Sequence, residues 1–420
     1  MITSQAIPLT KGYAAMDELA LFSLALGLAK PWRVVDLKFS KEEGRLDLRL
    51  DFANGAKFPC PSCGETKEGE VHDTLDRTWR HLNFFQYETY LHARVPRIRC
   101  GKCGVKQVDV PWARPGSGFT LLFELLVLSL SREMSVAAVA ELTSEHANRL
   151  WRILTHYVER ARQAIDLSGF HKLGIDEFAI RKGHVYMTSF GDLEASRVVF
   201  LGEGRKKGVI ETFIEDLRSR GGNPGQIDVV CCDMWDPYLN GVGTFLKHSQ
   251  VVFDRFHVMN QMNVAIERVR REEQRDNAAL KKSRFLWLKN PKNLTVRQEA
   301  RLDALKRMDL RTARAYQIKL GLARFWEIAE PAEAVTYLKR WYFWATHSRL
   351  RPVIQAARTI KRYWKGIVGF LDARVTNGMV EGLNSKIKTA MKRAYGFKHV
   401  GYLRTIIYLV AGRLSFTYPH

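Results

Sequence analysis

Residues 171–180 read HKLGIDEFAI, an apolar run that carries Asp176, and two later stretches complete its meaning. Residues 227–238, IDVVCCDMWDPY, end a second apolar, β-branched run on Asp233, and residues 376–388, TNGMVEGLNSKIK, set Glu381 in a segment of helical pattern. Short apolar runs bounded by turn residues predict buried strands. Three carboxylates on three separate elements can then converge on one point. Hard oxygen ligands of this kind suit Mg2+ or Mn2+, and two such ions about 4 Å apart serve displacement at phosphorus. Asp176, Asp233 and Glu381 are therefore the candidate catalytic and metal-ligating acids. A single Asp at a strand end is commonly a cap or turn residue. The case rests on the set of three.

Rivals stand beside each acid. Glu177 follows Asp176, but successive strand side chains point to opposite faces, so only one of the pair enters the site. Asp228 and Asp236 flank Asp233; Asp236, before Pro237, is expected to cap the helix PYLNGVGTFLK.

The surroundings give the acids a scaffold. KLGIDEFAI, HVYMTSF and SRVVFLGE predict three short strands, KGVIETFIEDLRSR a helix, and IDVVCCD a fourth strand. That order fits a mixed sheet flanked by helices, with Asp233 at the C-terminal end of its strand, where α/β sheets place their sites. A further strand, SQVVFDRFHV, leads to Asp254 and His257. His257 opens a long helix and is an auxiliary candidate for orienting a carboxylate or a phosphate; the alternative is a helix-start histidine bonded to Asp254. Residues 270–350 are charged and helical throughout, with no strand to add to the sheet, and predict an all-α insertion between the second and third acids. Trp287 within it is a candidate to stack on an unpaired base, with core packing as the competing reading. Lys388 follows Glu381 by two helical turns, on one face with Asn384 between them, and suits a phosphate. Lys386, Lys392 and Arg393 broaden that basic surface.

Charge names the partner. Lys and Arg number 66 against 44 acidic residues, a net +22, with a pI near 9.8. Such a balance points to nucleic acid, and it is spread along the chain instead of forming one amphipathic basic helix for a membrane. No run approaches the ~20 apolar residues that span a bilayer. Leu19 to Leu28 is apolar, but Asp17 and Glu18 precede it where a secretory leader carries positive charge. The expectation is a cytoplasmic protein without a membrane partner.

The six cysteines make a poor disulfide framework and a good metal site. Cys60-Pro-Ser-Cys63-Gly and Cys100-Gly-Lys-Cys103-Gly each read as a knuckle whose glycine permits a tight turn, and together predict one structural Zn2+. His72 is a weaker alternative ligand. Thirty-six residues separate the pairs, so a strand-rich excursion must return the chain to the site. Arg77, Trp79, Arg80, His81, Arg94, Arg97 and Arg99 within it face either phosphates or solvent. From Phe119, FTLLFELLVLSLSR, SVAAVAEL and SEHANRLWRILTHYVERARQAI predict helix, turn, helix, turn, long helix, with Ser135 and Ser144 as N-caps. A helix-turn-helix of this kind would present His146, Asn148, Arg149 and Arg152 to a major groove, whereas the plain alternative is a three-helix packing unit.

At these residues a resemblance becomes specific. FPCPSCG, TWRHLNFFQYETYLHARVPRIRC, VPWARPGSGFT, CDMWDPY, DRFHV and NGMVEGLNSKIKTAMKRAYGF are together similar to bacterial insertion-sequence transposases of the ISL3 group, over nearly the whole chain. The resemblance implies a multidomain α+β protein: a zinc ribbon-like module, a helix-turn-helix domain, and an RNase H-like α/β catalytic domain interrupted by an all-α insertion. The expected boundaries are 1–112 for the N-terminal helix, strands and zinc module, 113–168 for the helix-turn-helix, 169–258 and 351–420 for the two parts of the catalytic domain, and 259–350 for the insertion. It implies a DDE triad on Asp176, Asp233 and Glu381 with two Mg2+ or Mn2+, a D-x-x-H element on Asp254 and His257, and Lys388 as the basic residue two turns past the glutamate. The implied reaction is cleavage at terminal inverted repeats followed by attack of the freed 3′ hydroxyl on target DNA, by a dimer or higher oligomer at the bacterial nucleoid. A DNA-binding regulator without catalysis and a nuclease without strand transfer are the competing functions.

Overall fold

The computed structural model describes residues 17–64, 69–181, 185–204, 207–253, 255–373, 377–393, 396–397 and 399–416, with the side chains of 181, 207 and 377–381 outside the description. Asp254 and the Glu381 side chain thus lie outside the described residues. The chain divides into two compact units: the described residues up to Leu154 with Phe416, and Thr155–Ser415.

In the first unit a helix α1 (Glu18–Ala25) precedes the alternating stretch, which folds into antiparallel β1 (Trp32–Ser40) and β2 (Arg45–Phe52). Leu46, Leu48 and Leu50 are buried at every second position of β2, as the period of a strand requires. The excursion between the cysteine pairs is β3 (Val71–Arg80) going out and β4 (Glu88–Cys100) coming back, paired antiparallel. β4 also runs parallel to β2 and turns at the second knuckle into β5 (Gly104–Gln107). Most of the basic residues here are already committed. Arg80 is fully buried and donates to the Thr89 carbonyl at 3.2 Å, Trp79 is in the core, Arg94 bridges Asp51 at 2.8 Å, and Arg97 pairs with Asp73. Arg77 and Arg99 stay exposed.

Three helices follow: α2 (Leu121–Glu133), α3 (Val136–Leu142) and α4 (Ala147–Gln163). Ser135 caps α3 as expected, accepting from the Ala138 N–H at 3.2 Å, and Thr120 caps α2 in the same way. Ser144 does not cap α4. It adopts a positive φ of 54° in the turn, and the helix starts three residues later at Ala147. His146, Asn148 and Arg152 are exposed, while Arg149 pairs with Glu145 at 2.6 Å.

The second unit is built on a five-stranded sheet of order β10-β9-β6-β7-β8. β6 (Lys172–Arg181), β7 (Val185–Asp192) and β8 (Arg197–Glu203) form an antiparallel meander. The helix α5 (Lys207–Ser219) then carries the chain to β9 (Val229–Cys232), parallel to β6, and α6 (Asp236–Phe245) leads on to β10 (Gln250–Phe253), parallel to β9. Ile210, Phe213, Leu217, Tyr238 and Val242 from the two helices join Ile175, Phe190 and Val230 of the sheet in one core.

After β10 every described element is helical: α7 (Arg255–Glu273), α8 (Arg284–Leu288), α9 (Val296–Lys306), α10 (Arg311–Arg324), α11 (Pro331–Thr346), α12 (Arg351–Arg362), α13 (Trp364–Ala373), α14 (Asn377–Arg393) and α15 (Val400–Ala411). Two buried charges stitch the block together by capping helix ends. Glu273 accepts from the N–H groups of Arg311 and Thr312 at the start of α10, and the Lys319 ammonium donates to the carbonyls of Trp287 and Leu288 at the end of α8. Trp287 is fully buried, its indole donating to Ser283 and its ring 5.5 Å from that of Tyr316. The expectation that it stacks on a base is corrected: Trp287, on α8, packs against Tyr316 of α10, and it is a core residue.

Candidate active site

Strand register brings the first two acids level. Gly174 of β6 lies opposite Cys231 of β9 in a parallel pair, and Asp176 and Asp233 each stand two residues beyond that pair. His257, on the first turn of α7, turns its Nδ1 onto the Asp233 carboxylate. One ligand atom from each of Asp176, Asp233 and His257 lies within 4.8 Å of the others, and all three side chains are half-buried. Two carboxylate oxygens and an imidazole nitrogen at that separation form a donor set a divalent cation can accept.

The two faces of the sheet separate Asp176 from its neighbour. Asp176 is opposite Ser189 and Glu177 opposite Thr188 on β7. On the Glu177 face the Tyr238 hydroxyl, from α6, lies 3.0 Å from Thr188 Oγ1 and donates to Glu177 at 3.4 Å. Burial pushes the Tyr238 phenol well above its usual range, and the carboxylates of Glu177, Asp233 and Asp176 push the same way, so it remains a donor. On the Asp176 face lies α14. Its Leu383 sits so close to β7 that a Cβ on Gly191 would meet Leu383 Cδ2 at 2.4 Å, and the next residue, Asn384, donates its amide to Asp176. Glycine at 191 is what lets the helix approach.

Glu381 stands three positions before Asn384 on α14, close to one helical turn. Lys386, Lys388, Lys392 and Arg393 on that helix are exposed, while Leu383, Ile387 and Ala390 are buried toward the core. Asp236 is not the cap of α6: Trp235 occupies the N-cap position with no side-chain cap, and Asp236 instead accepts from Arg362 at 3.1 Å and from the Tyr363 hydroxyl at 3.1 Å. Sequence reading missed Tyr238 and gave Asn384 a helix face but no partner. The only signal for Asn384 was its place between Glu381 and Lys388.

In the first unit the sulfurs of Cys60, Cys63, Cys100 and Cys103 lie within 4.8 Å of one another. Both knuckles carry the expected glycine, Gly64 with φ 63° and Gly104 with φ 74°. Backbone N–H groups of Cys63 and Ser62 hold the Cys60 thiol down to about 7, whereas Cys103 is pushed up to about 12, first by the Cys63 thiol and then by burial and the other sulfurs. One thiolate forms readily and the last is opposed by its neighbours. A central Zn2+ removes that opposition, so the donor set fits one structural zinc.

Three family profiles match stretches of this chain. A family profile described as transposase, of the ISL3 type, matches residues 173–407. The helix-turn-helix domain of transposase family ISL3 matches residues 108–158, and the zinc-finger of transposase IS204/IS1001/IS1096/IS1165 matches residues 56–103. The fold and its domains thus define a DNA-binding transposase architecture with a zinc ribbon. The chain belongs to the ISL3 family of transposases. It is 28% identical over 416 residues, 91% of this chain and 93% of the relative, to the transposase for insertion sequence element IS1557 of Mycobacterium tuberculosis. To the transposase for insertion sequence element IS1001 of Bordetella parapertussis it is 29% identical over 360 residues, 82% of this chain and 86% of the relative. Among the described residues no helix is long and apolar enough to cross a membrane.

Proposed function

We propose that this chain cuts the terminal inverted repeats of an insertion sequence and joins the freed ends to target DNA, using Asp176, Asp233 and Glu381 as a DDE triad. The observation that carries the reading is the meeting of Asp176, Asp233 and His257 within 4.8 Å, together with the tie from Asn384 that draws the Glu381 helix to Asp176. A sheet of order β10-β9-β6-β7-β8, antiparallel across β6-β7-β8 and parallel across β10-β9-β6, supports an RNase H-like catalytic domain. The run of helices between β10 and α14 supports the all-α insertion at 259–350.

Two bound Mg2+ or Mn2+ ions would supply Lewis-acid polarisation of the scissile phosphodiester. The chain's own part is placement. Asp176, Asp233 and Glu381 hold the cations, Asn384 fixes the rotamer of Asp176, and His257 fixes that of Asp233. Lys388 meets a phosphate from the exposed side of α14. In the first step water attacks phosphorus and the 3′ oxygen leaves; in the second that 3′ hydroxyl attacks a target phosphodiester and displaces its 3′ oxygen, with no bond to the protein. His146, Asn148, Arg149 and Arg152 read the element's end from α4, and pairing of two ends requires a dimer or higher oligomer.

The test is incubation of purified chain with labelled end DNA and a target plasmid, with Mg2+ or Mn2+. Metal-dependent nicking and joined products are expected. Nicking without joining would make the protein a nuclease, and binding without nicking under either metal would make it a regulator.

A further inference from the structure

Helix α12 carries an exposed basic stripe that neither the triad nor the helix-turn-helix accounts for. Its sequence, RPVIQAARTIKR, contains three arginines and a lysine and no acid. At 100° per residue, Arg351, Arg358 and Arg362 fall within about 40° of one another on the helix circumference. Val353, Ala356, Ala357 and Ile360 are buried on the opposite side, where α12 packs along α7. A solvated helix face ordinarily mixes both charge signs, and this one does not.

The stripe is aimed. Arg362, at the C-terminal end of α12, donates to Asp236 at 3.1 Å, three residues after Asp233. The same end of α12 places Tyr363 on Asp236, while α7, against which α12 lies, begins with the turn that holds His257. From Arg362 the stripe runs back about 16 Å to Arg351 at 1.5 Å per residue. That length covers successive phosphates of one strand, which rise about 3.4 Å each along a duplex axis. Arginine suits the role because its planar fork matches a phosphate in two hydrogen bonds.

We propose that Arg351, Arg358 and Arg362 form a backbone track on which the strand bearing the scissile phosphate reaches the Asp176–Asp233–His257 cluster. This rests on the transposase reading of that cluster. The contacts are to phosphates, so the track positions DNA without reading sequence.

The test is a salt titration of binding by the full zinc-loaded chain, on a labelled duplex carrying the element's end and on an unrelated duplex of equal length. Each phosphate contact contributes about 0.9 to the slope of log affinity against log salt. Arg351→Gln with Arg358→Gln, which leaves the Arg362–Asp236 pair intact, is expected to lower the slope by about 2 on both duplexes, and Arg351→Lys with Arg358→Lys to restore most of it. A wild-type slope in the folded Gln variant overturns the track. Should that variant misfold, Arg358→Gln alone gives the answer: a slope lowered by about 1 on both duplexes supports the track and an unchanged slope overturns it. The catalytic reading fails separately, when wild-type protein binds the end and does not nick it with metal.

Discussion

Asn384 donates its side-chain amide to the carboxylate of Asp176, joining a helix and a strand 208 positions apart in the chain. The bond holds Asp176 in one rotamer and ties α14, which carries Glu381, to the strand that carries the first acid. Asn384→Ala is expected to lower metal-dependent cleavage about 10- to 100-fold, the usual cost of losing a residue that orients a metal ligand, while end binding stays within about twofold. Single-turnover cleavage alongside a binding isotherm separates the two. Equal losses in both would show that Asn384 serves the fold instead.

His257 sets its Nδ1 against the Asp233 carboxylate from the first turn of α7. His257→Ala should reduce cleavage by about 10- to 100-fold with Mg2+ and less with Mn2+, which tolerates a looser ligand set. Cleavage rates at matched metal concentrations check this, and an unchanged Mg2+ rate contradicts it.

Close approach of α14 to the sheet depends on Gly191. A methyl there would meet Leu383 at 2.4 Å, so Gly191→Ala should cost about 1–3 kcal/mol by overpacking and reduce cleavage, whereas a Cβ at Gly243 meets nothing within 4 Å. Thermal melts of both variants test the contrast.

Removing one knuckle sulfur should act on the first unit alone. Cys63→Ala is expected to drop bound zinc from one per chain to none, unfold the strand module around Cys60, Cys100 and Cys103, and weaken end binding while Thr155–Ser415 stays folded. Zinc content, limited proteolysis and end binding read the outcome. Unchanged binding after zinc loss would count against it.

His81 gives the first unit an acid sensitivity. Burial, with the nearby Arg80 guanidinium second, pushes its imidazole down to about 4, and the ring faces Thr120 Oγ1 at 2.9 Å. Because the unfolded chain takes up the proton near 6.5 and the folded one near 4, stability is full above about pH 6.5 and falls as pH drops toward 4, by up to roughly 3 kcal/mol. Denaturant melts of the wild type across that window should show the fall, and His81→Gln should flatten it.

Much of the second unit was legible because its signals are local. Apolar runs ending in Asp176 and Asp233 announced strands, and both sit where the parallel pairing of β6 and β9 sets them side by side. The level of the two acids depends on register, which no stretch of sequence states. Asn384 and Tyr238 became visible only when helices from distant parts of the chain met the two faces of the sheet. Trp287 misled because an aromatic in a charged helical block reads alike whether it points out or is covered by a helix from further along. Ser144 has the right chemistry for a cap, but the turn takes it through a positive φ and the helix begins three residues later. The arginine stripe of α12 was written in the sequence, and its meaning came from where Arg362 ends up.

Cleavage of labelled end DNA with Mg2+ or Mn2+, comparing wild type with Asp233→Ala and Glu381→Gln, tests the central claim most directly. The account predicts metal-dependent nicking and joining in the wild type, loss of at least about a thousandfold in each variant, and end binding retained in all three. Nicking that survives both substitutions would mean that the chemistry is carried by other residues.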